Sequence, residues 1–220
     1  MVELRLDEIA RLMDGVLVQG DPGLLFRAYS LDSRRTSPGD LFFAVVAGRD
    51  GHDFVDDARK RGARGAVVSR AVPAPDPSFG LVRVEDTVAG LQRLAAGTLA
   101  ARGVRVVGIT GSTGKTTTKE FAAELLGRRF RVLKSEGNYN NHLGLALSLL
   151  RLEAGHDLAV LEMAMSGPGE IRLLTRVAPP EVAVILNVSP VHLEFFNSLQ
   201  DIAAAKAEIL EGTQAGGTAV

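Results

Sequence analysis

Residues 108–116 read Gly-Ile-Thr-Gly-Ser-Thr-Gly-Lys-Thr, and this stretch decides the fold. The valine-rich stretch 104–107 precedes it and a helix-like stretch at 117–127 follows it, which predicts a strand, a phosphate-binding loop and a helix in succession. Glycines allow backbone N–H groups to turn towards phosphate oxygens, and the N-terminus of the helix adds a positive partial charge. The stretch therefore predicts a site for a nucleoside triphosphate, with a chance glycine-rich turn as the alternative.

The side chains of this loop extend the prediction. Lys115 is placed to reach the terminal phosphates of ATP, and the Thr116 hydroxyl is placed to bind Mg²⁺. One position departs from the usual phosphate-loop pattern, because Ile109 stands where the first glycine is expected. That variant indicates a particular subset of ATP-using proteins. The residues expected to hold ATP are Gly111, Ser112, Thr113, Gly114, Lys115, Thr116 and Thr117.

The composition is that of a folded protein. The chain has 220 residues, of which 46% are hydrophobic, and its 25 basic and 26 acidic residues give a net charge of -1. This balance argues against a general nucleic-acid or membrane footprint, and no apolar run approaches the length of a membrane span, about 20 residues. Without cysteine the chain forms neither disulfides nor thiolate metal sites. We expect a cytoplasmic monomer with no nucleic-acid partner and no membrane insertion.

The predicted elements divide the chain into two domains of an α/β protein. Residues 1–84 contain short strands and one helix near 53–61, which indicates a small α+β domain. From residue 85 helices and strands alternate, and nearly all-apolar strands such as 158–161 predict a parallel sheet with helices on both faces. We place the second domain at 85–220. Because 216–220 look like the start of another buried strand, we expect this domain to be truncated.

Three side chains lie where a parallel sheet places its ligands, at or beyond the carboxyl ends of the strands. Glu162 ends a predicted strand and suits a magnesium ligand, because a hard cation prefers carboxylate oxygen. A capping or ion-paired glutamate is the alternative. His192 follows the next strand and can bind a metal or act on phosphate, or it can be a hydrogen-bonded structural residue. Lys206 lies on the following helix.

Two further segments carry groups that bind polar substrates. The stretch 134–142 is rich in amide side chains, which both donate and accept hydrogen bonds. Asn140 and Asn141 lie near its end, directly before a predicted helix, so Asn141 can also be a helix cap. In the first domain, Arg34 beside the Ser33 hydroxyl can bind a phosphate group, although a solvated turn has a similar composition.

These motifs together resemble the Mur ligases of peptidoglycan synthesis. The phosphate loop is similar to the version found in that family, which accounts for the displaced glycine. Two stretches, 137–144 and 162–171, favour the member that adds a dipeptide over its sister ligases. The segments that carry the resemblance are 32–34, 38–44, 50–54, 110–116, 137–144, 162–171, 187–194 and 205–209.

The resemblance implies an ATP-dependent ligase with a UDP-binding first domain and a central ATP-binding domain. Its reaction would join D-alanyl-D-alanine to UDP-N-acetylmuramoyl-tripeptide through an acyl phosphate. Thr116, Glu162 and His192 would then bind Mg²⁺, and Lys206 matches a lysine that is carbamylated in the family and so becomes a fourth ligand. The resemblance implies catalytic roles for Lys115, His192 and Lys206, and substrate contacts for Ser33, Arg34, Asn140 and Asn141.

Other interpretations stay open at this point. Members of the family are considerably longer than this chain, so the resemblance implies that the adenine-binding residues and a third domain lie beyond Val220. We therefore expect a fragment that does not catalyse the complete reaction. A sister ligase that adds a single amino acid is one alternative, against which the pair Asn140 and Asn141 argues. A nucleotide-binding switch or ATPase that forms no amide bond is the other.

Overall fold

The computed structural model describes residues 3–73, 76–137, 139–190 and 195–220. It contains two compact units, Met1–Gly97 and Thr98–Val220. The division falls within one long helix, α3 (Thr87–Arg102). The two units meet in the sequence between residues 97 and 98, inside α3. The domain boundary between residues 84 and 85 stays a prediction.

The elements of the first unit are β1 (Leu4–Arg5), α1 (Leu6–Leu12), β2 (Val16–Gln19), β3 (Leu25–Phe26), β4 (Tyr29–Ser30), β5 (Leu41–Phe43), α2 (Val55–Lys60), β6 (Gly65–Val68) and β7 (Gly80–Arg83), followed by α3. Five of the strands form a mixed sheet in the order β2-β7-β6-β5-β4. Strand β2 is antiparallel to β7, and the other neighbours are parallel. Strands β1 and β3 form a separate antiparallel pair.

The centre of this sheet is apolar on both faces. All residues of β5 and β6 are buried. One face packs Phe42 against Val55 and Ala58 of α2. Short central strands without alternating polar residues are typical of a sheet that is covered on both sides.

The elements of the second unit are β8 (Arg105–Thr110), α4 (Lys115–Leu126), β9 (Val132–Lys134), α5 (His142–Leu149), β10 (Leu158–Glu162), α6 (Glu170–Val177), β11 (Val182–Ile185), α7 (Leu199–Glu211) and β12 (Thr218–Ala219). Its five strands form one sheet in the order β12-β11-β8-β10-β9, and every neighbouring pair is parallel. This confirms the parallel sheet predicted from the alternating elements.

The central strand β8 is packed between helices on its two faces. Ile109 faces α4, where it contacts the cluster of Ala123 and Val160. Gly108 faces the other side, where a Cβ atom would lie 2.9 Å from Pro180 Cγ and 3.3 Å from Ile209 Cδ1 of α7. Successive strand residues point to opposite faces, so both helices pack closely against the same strand.

The register of β8 and β10 places two functional candidates side by side. Glu162 pairs with Ile109, and the loop that follows β8 therefore leaves the sheet next to the Glu162 side chain. In parallel α/β sheets the ligand site lies at this carboxyl edge. No helix among the described residues combines the length and apolar character needed to cross a bilayer.

Candidate functional site

A glycine-rich loop connects the end of β8 to the first turn of α4. Gly111 has φ 153° and Gly114 has φ 82°, and residues with a Cβ rarely adopt such angles. Helix α4 begins at Lys115, directly after Gly114, rather than at residue 117 as expected from the sequence. Lys115, Thr116 and Thr117 therefore form the first turn, whose backbone N–H groups lack partners within the helix and suit an anion.

The Lys115 ammonium folds back over this loop. Its Nζ atom donates to the Gly111 carbonyl at 2.8 Å and lies 3.4 Å from the Ser112 carbonyl. Both contacts join a charged donor to neutral acceptors. A phosphate oxygen is a stronger partner for this ammonium than either carbonyl, because its negative charge adds a Coulomb attraction that a neutral acceptor lacks.

Glu162 ends β10 beside the loop and is almost completely buried, with a relative exposure of 3%. Thr116 Oγ1 donates to one carboxylate oxygen at 2.8 Å, and Asn140 Nδ2 donates to the other at 2.9 Å. The Glu162 backbone N–H donates to Ser135 Oγ at 3.3 Å. Burying a carboxylate is unfavourable unless it is paired or hydrogen-bonded, so these contacts fix Glu162 against the first turn of α4.

The Thr116 hydroxyl and the Glu162 carboxylate form an all-oxygen pair that suits magnesium. Thr116 gives its one hydrogen to Glu162, which leaves lone pairs on Oγ1 for a cation. Mg²⁺ is usually bound by one or two carboxylates together with phosphates and waters. Across the ranges that the structure describes, no three His, Asp or Glu side chains form a metal cluster. Phosphate oxygens and water are the usual further ligands beside such a pair.

Lys206 lies in α7 and is buried, with a relative exposure of 3%. Burial, and secondly the positive charge of Lys115, lower the pKa of the Lys206 ammonium from 10.5 to about 8. The contribution of Lys115 places the Lys206 amine within the electrostatic reach of the loop. An amine with this pKa is partly neutral in mildly alkaline solution, where an exposed lysine is almost entirely protonated.

The segment that follows β11 holds the loop in place. Asn187 Oδ1 accepts from the Thr113 N–H at 3.0 Å, and the Asn187 carbonyl accepts from the Ser112 N–H at 3.1 Å. The Ser112 hydroxyl donates to the Ser189 carbonyl at 3.1 Å and accepts from the Ser189 N–H at 2.9 Å. Two N–H groups of the loop are thus already bound, so a phosphate would first meet those from Gly114 onwards.

Asn140 and Asn141 have different structural roles. Asn141 Oδ1 accepts from the backbone N–H groups of Leu143 at 3.2 Å and Gly144 at 2.9 Å, which confirms the interpretation as a helix cap. Asn140 instead donates to Glu162. Their contacts with a substrate stay predictions, and the cap already occupies the Asn141 carbonyl oxygen.

Ser33 and Arg34 belong to a 3-10 helix, Ser33–Arg35, of the first unit. Ser33 is buried, whereas Arg34 is exposed and binds the Asp32 carboxylate through Nε at 2.9 Å and Nη2 at 2.8 Å. Hydrogen bonds from Arg34 lower the pKa of Asp32 to about 2. Exposed ion pairs stabilise little, so Arg34 can exchange Asp32 for a phosphate at small cost. The phosphate contact of Arg34 stays a prediction.

The segment 50–54, which also carries the resemblance, has a structural role in this unit. Gly51–Phe54 is a 3-10 helix capped by Asp50, whose carboxylate accepts from the His52 N–H at 2.9 Å. The buried His52 ring bridges Asp50 Oδ1, at 2.5 Å, and the Ser69 N–H, at 2.8 Å. His52 therefore ties this turn to the end of β6.

His192 lies outside the described residues, as do Val191, Leu193 and Glu194. Its metal-binding and catalytic roles stay predictions. Two described residues near the site were not singled out from the sequence, namely Lys119 and Ser135, which are both buried. The sequence carried one signal for Lys119. It lies four residues after Lys115 in a predicted helix, and residues four apart share one face of a helix, which places Lys119 on the same side as the phosphate loop.

The architecture of the second unit defines its class. A parallel α/β sheet whose central strand leads through a glycine-rich loop into a helix is a P-loop domain. The family model for the Mur ligase middle domain matches residues 109–220. The chain belongs to the Mur ligase family, as the resemblance in its motifs predicted.

Individual relatives of the chain belong to one branch of that family. A Bacillus subtilis protein named UDP-N-acetylmuramoyl-tripeptide--D-alanyl-D-alanine ligase is 38% identical over 100% of this chain and 49% of its own length. The crystal structure of MurF from Acinetobacter baumannii has a TM-score of 0.93 at 32% identity, covering 100% of this chain and 48% of that one. The structure of MurF from Thermotoga maritima in complex with ADP has a TM-score of 0.80 at 42% identity, covering 88% of this chain and 45% of that one. This chain spans about half the length of these relatives.

Proposed function

We propose that this chain provides the nucleotide-sugar-binding and ATP-binding parts of an amide ligase. The ligase joins D-alanyl-D-alanine to UDP-N-acetylmuramoyl-tripeptide and converts ATP into ADP and phosphate. The observation that carries the proposal is the contact of 2.8 Å between Thr116 and the buried Glu162, beside a phosphate loop that begins a helix with Lys115. The names of the relatives in Bacillus subtilis and Acinetobacter baumannii support the same activity.

The chemistry follows from the poor reactivity of a carboxylate. The terminal carboxylate of the tripeptide attacks the γ-phosphorus of ATP, which forms an acyl phosphate and releases ADP. The amine of D-alanyl-D-alanine then attacks the acyl carbon, an amide bond forms, and phosphate leaves with loss of a proton from nitrogen. The main task of the protein in such a transfer is to position anions that repel each other.

The residues of this chain divide that task between them. Lys115 moves its ammonium from the loop carbonyls to phosphate oxygens, and N–H groups of the first turn of α4 bind the same anion. Thr116 and Glu162 would hold the magnesium ion. That ion would neutralise charge that builds up on the phosphates during transfer. His192 is proposed as a further ligand on the strength of the family resemblance.

We extend the proposal to a carbamate on Lys206. The neutral amine attacks CO₂, an N–C bond forms, and one proton is lost, which replaces a cation by a carboxylate-like anion. Burial favours this product over the ammonium only if a cation is near, and magnesium held by Glu162 would supply that charge. A carbamate also removes the repulsion between Lys206 and Lys115.

Incubation with ¹³C-bicarbonate is expected to give one carbamate signal in the ¹³C NMR spectrum. Its intensity should rise with pH through about 8, because the pKa of Lys206 is lowered to that value and only the neutral amine reacts. Added Mg²⁺ should strengthen it. The Lys206→Met variant should lack the signal, whereas Lys134→Met, which removes a half-exposed lysine, should keep it. A signal that persists in Lys206→Met would rule out this assignment.

Binding measurements distinguish the ligase from a nucleotide switch. By isothermal titration calorimetry, the chain should bind both Mg-ATP and UDP-N-acetylmuramoyl-tripeptide, because the proposal gives each ligand its own domain. Expressed from its complete reading frame, the protein should release phosphate only when the tripeptide and D-alanyl-D-alanine are both present. Binding of nucleotide alone, with phosphate release indifferent to both substrates, would refute the ligase. Stimulation by one free amino acid instead of the dipeptide would indicate a sister enzyme.

A further inference from the structure

Lys119 is a charged side chain with no exposure to solvent. It lies in α4 one helical turn after Lys115, and its Nζ donates to the Ser135 carbonyl at 2.7 Å. The Glu120 carboxylate lies 3.2 Å away. Burial of an ammonium is costly unless it is paired and hydrogen-bonded, so a simple surface role does not explain this arrangement.

Ser135 connects Lys119 to the strand that carries Glu162. Its backbone N–H donates to the Val160 carbonyl at 3.3 Å, and its hydroxyl accepts from the Glu162 N–H at 3.3 Å. Lys119, Ser135 and Glu162 thus form a continuous chain of hydrogen bonds. It joins the helix of the phosphate loop to the carboxyl end of β10.

The same two elements also hold the carboxylate of Glu162. Thr116, on α4, donates to one oxygen, and Asn140, on the segment that begins at Ser135, donates to the other. A shift of this segment away from α4 would move Asn140 and Thr116 apart and turn the carboxylate between them. The Lys119 contact is the buried link that resists such a shift.

We propose that Lys119 is a positioning residue for the divalent cation, because it fixes the distance between α4 and Ser135 and thereby orients Glu162. In this role Lys119 would act through Ser135 and Glu162, without itself binding nucleotide or metal. The inference rests on the proposed binding of Mg-ATP at Thr116 and Glu162. Partners that orient a metal ligand typically contribute 10-fold to 100-fold to metal affinity.

The test compares nucleotide affinity with and without magnesium in Lys119→Met. Titration of Mg²⁺ at a fixed concentration of ATP should give an apparent metal affinity roughly tenfold weaker than that of the unsubstituted protein. The affinity for ATP measured in EDTA should stay unchanged, since Lys115 and the loop are intact. Lys119→Arg, which keeps the charge and a donor, should restore part of the metal affinity.

Two further variants separate positioning from general stability. Lys134→Met removes the other lysine that pairs with Glu120, without removing the donor to Ser135, and should leave the metal affinity unchanged. Ser135→Ala removes only the hydroxyl that accepts from Glu162 and should weaken metal binding in the same direction as Lys119→Met. If Lys119→Met does not fold, Lys119→Arg decides the question, through a partial loss of metal affinity at unchanged ATP affinity in EDTA.

The outcomes distinguish this inference from the proposed function. An equal loss of ATP affinity with and without Mg²⁺ in Lys119→Met would assign Lys119 to the fold alone and overturn the inference. Unchanged metal affinity in Ser135→Ala would overturn it as well. If the unsubstituted protein binds ATP with no dependence on Mg²⁺, the proposed metal site fails, and the inference fails with it.

Discussion

The Lys115→Ala variant is expected to bind Mg-ATP about 100-fold more weakly than the unsubstituted protein. Among the residues that the structure describes, only the carbonyls of Gly111 and Ser112 hold the ammonium, so a phosphate can bind it without breaking a buried ion pair there. Hydrogen bonds to charged groups contribute about 1.5–3 kcal/mol each, and about 1.4 kcal/mol corresponds to a factor of ten in affinity. Two such bonds account for the expected loss. Isothermal titration calorimetry at constant ionic strength measures it directly.

The fold of this variant should be nearly unaffected, because Lys115 lies in the first turn of α4, where alanine is a good helix former. Lys134→Ala is the matched control, since it removes the same charge from the same unit but from an ion pair with Glu120. Its ATP affinity should be unchanged. If Lys115→Ala binds ATP with the same affinity as the control, the proposed role of the loop in phosphate binding is wrong.

A second readout reports on the site without any nucleotide. The charge of Lys115 is one of the two causes that lower the pKa of Lys206. In Lys115→Ala this pKa should therefore rise from about 8 towards 10.5, although burial keeps it below the ordinary value. An NMR titration of reductively ¹³C-methylated lysines follows this change. A pKa that does not move would show that the two ammonium groups are not coupled.

The parts of the site that the sequence predicted depend on neighbours in the chain. The phosphate loop combines a strand, glycines and a helix within 105–126, and each has a local signature. Glu162 was found because the end of an apolar strand in a parallel sheet has a known position relative to other strand ends. The cap at Asn141 also follows from its place before a helix. Such features need no knowledge of distant contacts.

The parts that sequence analysis missed depend on contacts between distant segments. Lys119 stands in a helix rich in polar residues, where a lysine normally faces solvent, and its burial depends on Ser135 from another element. Asn187 meets the phosphate loop only because β11 lies beside β8. The hydrogen bond from the Asn140 amide to Glu162 requires the position of β10, and the contact of Asn140 with a substrate stays a prediction. Tertiary packing alone creates these partnerships.

The second large effect is expected for Glu162→Gln, which should lower the apparent affinity for Mg²⁺ in the presence of ATP by at least about tenfold. Residues that merely orient a metal ligand contribute that much, so loss of the charged ligand itself should cost no less. The substitution keeps the size of the side chain. Its amide oxygen can still accept from Asn140, and the Thr116 hydroxyl can rotate to accept from the new amide. The fold should therefore be retained, and a Mg²⁺ titration monitored by nucleotide binding measures the effect.

The matched control is Glu181→Gln, which makes the same chemical change at the opposite end of the same sheet. Glu181 directly precedes β11 and lies 3.7 Å from Arg105 at the start of β8, where both side chains are exposed. Screening at such a site makes its effect on a cation at the carboxyl edge small. Equal Mg²⁺ dependence in the two variants would show that Glu162 acts through net charge and not as a ligand. If Glu162→Gln loses the same ATP affinity in EDTA as with Mg²⁺, Glu162 instead stabilises the loop and the metal binds elsewhere.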